Sequence, residues 1–333
     1  MDKPLKYAVF GGGSWATAIV KMLCENLDEV GWYMRSVYIK EHIQREQHNP
    51  SYISSVEFHL DQLKLSNDIN EMASYADVLI FAIPSAFIHS ELEKLTVDIS
   101  NKIVVSAVKG ILPESDKLLG EHFHDLHHIP LENIAVIAGP CHAEEVALER
   151  LSYLTISCAD AVKAKTIAKT LSSEYIKTEI SDDIIGVEYA VMLKNIYAIA
   201  AGIAHGLGYG DNFQSVLMSN AIREMKRFIK KRHKMKRNIN NSAYLGDLLV
   251  TGYSTFSRNR MFGNMIGKGY TVKSAQMEMS MVAEGYYGTK SAYMLNEKSS
   301  KKTKIPIIKA VYSILYEGKE PKKVFKKLTE KLN

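Results

Sequence analysis

At 333 residues the chain has the length of two ordinary domains, so a single small module is excluded. Hydrophobic residues at 46% and charged residues at 24% exclude a disordered or collagen-like chain and provide for a sizeable core. The 42 basic and 37 acidic residues leave a net charge of +5, which suits an anionic small molecule and falls short of the signature of a nucleic-acid binder.

Up to about residue 180, short runs rich in Val, Ile and aromatics alternate with helical patterns. The runs are Tyr7 to Phe10, Val30 to Met34, Val78 to Ile83, Ile103 to Ala107, Ile134 to Ala138 and Tyr153 to Cys158. Runs of this kind are strands buried on both faces, and their alternation with helices implies right-handed crossovers. Residues 1–181 are therefore predicted to form an α/β, Rossmann-like, doubly wound and mostly parallel sheet. The segment holding His122, His124, His127 and His128 reads as a loop before the Ile134 strand, and no metal is expected there because the ligand spacing is wrong. From Ser181-Asp182-Asp183, a plausible N-cap cluster, the pattern turns to long helices. Residues 182–333 are predicted to be an all-helical domain.

The longest uncharged run, Asn195 to Gly210, has 16 residues, short of the roughly 20 that span a bilayer, so no integral membrane segment is expected. The first residues lack an apolar signal core. Cys24, Cys141 and Cys158 have no CxxC spacing, which points to a reducing cytoplasm without disulfides or zinc. Arg223 to Arg237 carries nine basic residues, with Met225, Phe228 and Ile229 at helical spacing. A solvated helix with an apolar underside is preferred there to a nucleic-acid or membrane face.

The first strand runs into Gly11-Gly12-Gly13-Ser14-Trp15-Ala16, followed by a helix from Thr17 to Asn26. Gly11 permits the tight turn, Gly13 leaves room for a pyrophosphate, and Ala16 lets the helix lie on the sheet. The helix N-terminus adds N–H groups and a positive dipole end. This placement points to a nicotinamide dinucleotide, NAD or NADP. After the second strand no Asp or Glu awaits the ribose. Arg35 stands there instead, able to pair with a 2′-phosphate or to stack on adenine, which leans toward NADP(H), while an ordinary surface arginine accounts for it nearly as well.

Between Asp182 and Ala204 nearly every position is apolar, so Lys194 and Asn195 fall on a buried helix. A buried ammonium is costly unless paired, and such an amine can exchange a proton with a substrate oxygen; a lysine snorkelling to the surface fits the same periodicity. Lys109-Gly110 follows the Ile103 strand, at the edge where open α/β sheets bind ligands, and Gly139-Pro140-Cys141-His142 follows the Ile134 strand in the same way. Asp247, isolated among leucines, wants a cation such as Lys194. Ser257-Arg258-Asn259-Arg260 offers a hydroxyl, a guanidinium and an amide in succession, a grip for phosphate oxygens.

With these residues in place, the chain resembles the bacterial NAD(P)-dependent sn-glycerol-3-phosphate dehydrogenases along nearly its whole length. The ordered motifs are Gly11-Gly12-Gly13-Ser14-Trp15, Val108-Lys109-Gly110, Ala138-Gly139-Pro140, Gly186-Val187-Glu188, Leu193-Lys194-Asn195, Gly246-Asp247-Leu248, Ser257-Arg258-Asn259-Arg260 and Val282-Ala283-Glu284-Gly285. The resemblance implies Lys194 as proton donor and acceptor, Lys109 and Asn195 beside the reacting oxygen, and Asp247 orienting the lysine. It implies a substrate site of Lys109, Gly139, Cys141, Lys194, Asp247, Ser257, Arg258 and Asn259. Beside Gly11 and Gly13, already read from the glycine loop, it implies cofactor contacts from Ser14, Trp15, Arg35, Lys109, Ala143, Arg258, Val282 and Glu284. Where the family usually has Ser or Thr, this chain has Cys141, a weaker hydrogen-bonding group.

The expected reaction is hydride transfer between NAD(P)H and dihydroxyacetone phosphate, giving sn-glycerol 3-phosphate for glycerophospholipid synthesis, in a cytoplasmic enzyme that is a candidate homodimer. A hydroxy-acid dehydrogenase using a His/Glu pair would leave the Ser257–Arg260 grip unused. A cofactor-sensing regulator would leave Lys109, Lys194 and Asp247 without a role.

Overall fold

The computed structural model describes residues 4–112, 115, 117–279 and 283–333. The chain divides into two compact units, Met1–Val108 with Lys117–Ile184 and Lys109–Asp116 with Ile185–Asn333. Lys109 thus belongs with the second unit.

The first unit runs β1 (Tyr7–Phe10), α1 (Ser14–Cys24), β2 (Val30–Tyr33), α2 (Val37–Glu46), β3 (Leu63–Ser66), α3 (Ile69–Tyr75), β4 (Val78–Phe81), α4 (Ser85–Leu92) and β5 (Ile103–Ser106). It continues with α5 (Leu119–His127), β6 (Ile134–Ala138), α6 (Ala143–Ala147), β7 (Ser152–Cys158), α7 (Ala161–Leu171) and β8 (Ile176–Ser181). Every residue of β1, β2, β4 and β6 is buried, as expected of strands covered on both faces. The sheet has the order β3-β2-β1-β4-β5-β6-β7-β8. Neighbours are parallel except β6 and β7, where Ala135 faces Cys158 and Ala138 faces Thr155 in antiparallel register. Strand order reverses between β1 and β4, the point at which doubly wound sheets bind ligands beyond their carboxyl ends.

Three local expectations change. Strands β3 and β8 escape the sequence reading because they are the outer strands, partly exposed, and so lack a continuous apolar run. The first helix begins at Ser14 rather than Thr17, capped by Gly13. His122, His124 and His127 lie on helix α5 and not in a loop, with Leu119, His122 and Phe123 buried at helical spacing; His128 ends the helix in the left-handed region at φ 55°. Among the described residues no group of three or more His, Cys, Asp or Glu could hold a metal ion.

The second unit comprises α8 (Ile184–Gly206), α9 (Asp211–Arg232), α10 (Asp247–Tyr253), α11 (Arg258–Gly267), α12 (Val272–Glu278), α13 (Glu284–Lys298), α14 (Pro306–Leu315) and α15 (Pro321–Thr329). Helix α8 is its core: every residue from Gly186 to Ala204 is buried. By length and composition α8 is the one described helix that could cross a membrane, yet 89% of its apolar window is buried in protein. Helix α9 stops at Arg232, so the basic helix expected over 223–237 is shorter, and His233 to Arg237 lie beyond it. Its inner face carries Met225, Phe228 and Ile229, while Lys226, Arg227, Lys230 and Lys231 are exposed.

Glycines set how closely α8 meets α11. A Cβ on Gly202 would lie 2.0 Å from the Arg260 carbonyl oxygen, and one on Gly263 2.1 Å from that of Ile199. No residue larger than glycine allows the two backbones to approach this far, and the approach fixes the helix bearing Lys194 against the helix that opens with Arg258.

Candidate active site

In the first unit the glycine loop is built for a close ligand. Gly11 has φ +139°, and a Cβ there would lie 2.6 Å from the Ala82 carbonyl oxygen, so only glycine makes this turn. Gly13 has nothing within 4 Å of where its Cβ would be, the open side on which a pyrophosphate needs backbone. As the N-cap of α1 it carries no side chain that would occupy the first-turn N–H groups. Ala16 is fully buried against the sheet. These features fit a dinucleotide at the start of α1, where Ser14 and Trp15 form the first turn.

Two residues that the sequence reading missed hold this loop. The indole Nε1 of Trp32 donates to the Gly11 carbonyl at 2.7 Å. The buried Asn49 amide donates to the Gly12 carbonyl at 3.1 Å and to Thr17 Oγ1 at 3.0 Å. Its oxygen accepts from the backbone of Ser51 and Tyr52. Only tertiary structure brings Asn49 to the loop; the one sequence cue is a turn-forming Asn-Pro pair.

Arg35 lies two residues beyond the end of β2, with its side chain 67% exposed and its guanidinium 3.9 Å from the buried Glu91 carboxylate. Beyond β6, Gly139 has φ +122°, and a Cβ there would come within 2.6 Å of the Tyr153 carbonyl oxygen. Cys141 and Ala143 are buried in the core of this unit, Ala143 opening α6.

In the second unit the expected catalytic residues converge. Lys194 and Asn195 are buried on α8, and the Lys194 ammonium donates to Asp247 Oδ1, so the pairing required by burial is present. A single π-helical turn, Ser242–Gly246, leads into Asp247 at the head of α10. Asp247 Oδ2 is buried without a hydrogen-bond partner in the protein. Asn195 Nδ2 reaches the Lys109 carbonyl at 3.5 Å, a long contact. Ser257 is the N-cap of α11, its hydroxyl accepting from Arg260 N–H at 3.3 Å, and an acceptor hydroxyl still has its own proton to donate. Asn259 Oδ1 accepts from Gly285 N–H at 2.8 Å, which fixes the amide against the start of α13. A Cβ on Gly285 would lie 2.6 Å from the Asn195 carbonyl oxygen and 2.9 Å from Asn259 Oδ1, so this glycine ties α13 to both asparagines.

Lys109, Lys194 and Arg258 interact electrostatically with Glu284, and Lys109 and Lys194 also with Asp247. Burial, reinforced by the charges of Lys194 and Arg258, pushes the Lys109 amine down to about 8, while Asp247 and Glu284 oppose the shift. Burial likewise pushes the Glu284 carboxyl up, against the cations of Lys109, Arg258 and Lys194. Three cations with two carboxylates leave an excess positive charge, the balance that attracts a phosphate ester. Val282 lies outside the described residues.

Residues 6–164 match the family model described as NAD-dependent glycerol-3-phosphate dehydrogenase N-terminus, and residues 183–326 match its C-terminus counterpart. The chain belongs to the glycerol-3-phosphate dehydrogenase family. It is 35% identical over 320 residues to the glycerol-3-phosphate dehydrogenase [NAD(P)+] of Lysinibacillus sphaericus, covering 95% of this chain and 94% of that protein. The Bacillus subtilis enzyme of the same name is 35% identical over 317 residues, 95% of this chain and 91% of its own. The crystal structure of glycerol-3-phosphate dehydrogenase from Coxiella burnetii superposes with a TM-score of 0.89 at 27% identity, covering 98% of this chain and 99% of that one. The family consists of NAD(P)-dependent oxidoreductases acting on a CH–OH group.

Proposed function

We propose that this glycerol-3-phosphate dehydrogenase interconverts dihydroxyacetone phosphate and sn-glycerol 3-phosphate, with Lys194 as general acid and base. The buried Lys194–Asp247 pair, set among Lys109, Arg258 and Asn195, carries the reading. When bound, NAD(P)H supplies the hydride that adds to the carbonyl carbon. Lys194 gives a proton to the carbonyl oxygen as it gains charge, and takes one from the hydroxyl in reverse. Asp247 holds the lysine through Oδ1 and leaves Oδ2 to accept from a substrate hydroxyl. Lys109 and Asn195 stabilise the developing alkoxide, while Arg258, Asn259 and the Ser257 hydroxyl hold the phosphate, so binding remote from the reacting carbon fixes its position. Gly139 and Cys141 complete the substrate contacts, and the Gly11–Gly13 loop with Ser14, Trp15, Ala143 and Glu284 serves the cofactor. Arg35 takes the 2′-phosphate of NADP(H).

A second reading is favoured by the Lys109 amine being pushed down to about 8: Lys109 exchanges the proton and Lys194 acts as a fixed charge. Lys109→Arg separates the two, since arginine keeps its charge but cannot release a proton. The proposal extends to two domains along the chain, 1–181 and 182–333, with the segment Lys109–Asp116 of the former counted in the second compact unit, and to a cytoplasmic setting, a homodimer, and supply of sn-glycerol 3-phosphate to glycerophospholipid synthesis. The test is NADPH oxidation with dihydroxyacetone phosphate and with unphosphorylated dihydroxyacetone. The phosphate ester should be turned over far faster, and Arg258→Ala should narrow that difference. Equal rates on both ketones would remove the phosphate grip from the account.

A further inference from the structure

At the ribose end of β2 lies a cluster that the reaction does not use. Tyr33, the last residue of β2, is buried and donates through its hydroxyl to Glu91 Oε2 at 2.5 Å. Glu91 sits on α4, whose preceding strand β4 lies on the far side of β1 from β2. The Tyr33 ring lies 5.8 Å from that of Phe10, which stacks on Phe81 at 4.7 Å, so one line of rings crosses from β4 over β1 to β2, and Glu91 is bonded at its Tyr33 end. The other Glu91 oxygen, Oε1, takes the Lys94 ammonium at 2.8 Å and faces the Arg35 guanidinium at 3.9 Å. The carboxylate is 4% exposed, whereas Arg35 is 67% exposed and Lys94 52%.

Burial alone would push the Glu91 carboxyl up, but hydrogen bonds from Lys94 and Tyr33, with the charges of Lys94 and Arg35, hold it below its ordinary range. It therefore stays an anion. A guanidinium beside a fixed anion already has a counter-charge, and a phosphate that docks on it must approach that anion as well. A ribose bearing only a 2′-hydroxyl meets no such repulsion.

We infer that Glu91 is a specificity-determining residue for the cofactor, a counter-charge that weakens the grip of Arg35 on a 2′-phosphate and so narrows the preference for NADP(H) over NAD(H). The inference rests on the assignment of Arg35 in the proposed function. A merely structural Glu91, holding α4 to Tyr33, would affect both cofactors alike.

The test compares NADPH with NADH in wild type, Glu91→Gln, Arg35→Ala and the double variant. Dissociation constants come from calorimetric titration, and kcat/KM is measured with saturating dihydroxyacetone phosphate. Glu91→Gln should raise the preference for NADPH roughly three- to fivefold, the scale of an exposed charge pair. Arg35→Ala should lower the preference, and in that background Glu91→Gln should raise it by clearly less, since only the direct repulsion of the phosphate is left to relieve. An unchanged or lowered preference in Glu91→Gln, or an equal rise without Arg35, overturns the inference. If Arg35→Ala leaves the preference untouched, the assignment of Arg35 falls and takes the inference with it; if it lowers the preference while Glu91→Gln has no effect, only the inference falls. Each preference is a ratio within one protein, so partial misfolding cancels. Glu91→Asp, which withdraws the charge by one methylene, is the second variant and should shift the ratio in the same direction by less.

Discussion

Replacing Gly263 by alanine tests the claim that backbone contact between α8 and α11 sets the catalytic geometry. The added methyl would stand 2.1 Å from the Ile199 carbonyl oxygen and within 3.0 Å of Ile203 N, where real Cβ contacts essentially never fall below 3.0 Å. The helices must therefore separate locally by about 0.9 Å, since neither atom is a side chain that can swing aside. Overpacking of this kind costs about 1–3 kcal/mol of stability. The larger effect should be on rate, because Arg258 and Asn259 lie within five residues of Gly263 on α11, while Lys194 is on α8. A shift near 1 Å at a positioning group costs on the order of 100-fold in turnover. Thermal melting and steady-state kinetics on the purified variant give both numbers. Gly210→Ala is the control: nothing lies within 4 Å of its new methyl, so only a small cap effect is expected. A Gly263→Ala enzyme as stable and as fast as wild type would refute the tight-contact argument.

Other expectations concern titration and the second unit's interior. With the Lys109 amine at about 8, its charge is lost as pH rises, so kcat/KM for dihydroxyacetone phosphate should fall above that value, and Lys109→Arg should move the fall to higher pH. An unmoved profile would clear Lys109 of that role. Glu224, buried on α9, accepts from the backbone N–H groups of Ile307 and Ile308 at 2.9 and 3.0 Å. Burial pushes its carboxyl up from 4.5 to about 7. Because the folded value is the higher one, the stabilisation is complete below 4.5 and is lost as pH rises through about 7, by at most about 3 kcal/mol. Glu224→Gln should flatten the dependence of the melting temperature between pH 5 and 8; an identical slope in the variant would show that other groups govern it.

The parts of the fold visible in the sequence were those whose burial is continuous. Strands β1, β2, β4 and β6 advertise themselves as unbroken apolar runs, and α8 as a long apolar helix with polar residues at 194 and 195. The outer strands β3 and β8 were invisible because partial exposure breaks their patterns, and α5 was hidden by histidines on a helix whose inner face is narrow. The same division holds at the site. The partner of Asp247 was legible, because an isolated carboxylate among leucines demands a nearby cation. Asn49, Trp32 and Glu91 were not, since each acts through contacts 21 to 58 residues distant along the chain. Nothing in their local spacing distinguishes them from ordinary loop, strand or helix residues.

Single-turnover oxidation of NADPH by dihydroxyacetone phosphate, comparing wild type with Lys194→Ala at saturating ligands, addresses the proton transfer directly. Loss of the amine should slow the hydride step by about 100- to 10,000-fold while the dissociation constant of NADPH stays nearly unchanged. A variant that transfers hydride at close to the wild-type rate would contradict Lys194 as the acid and base.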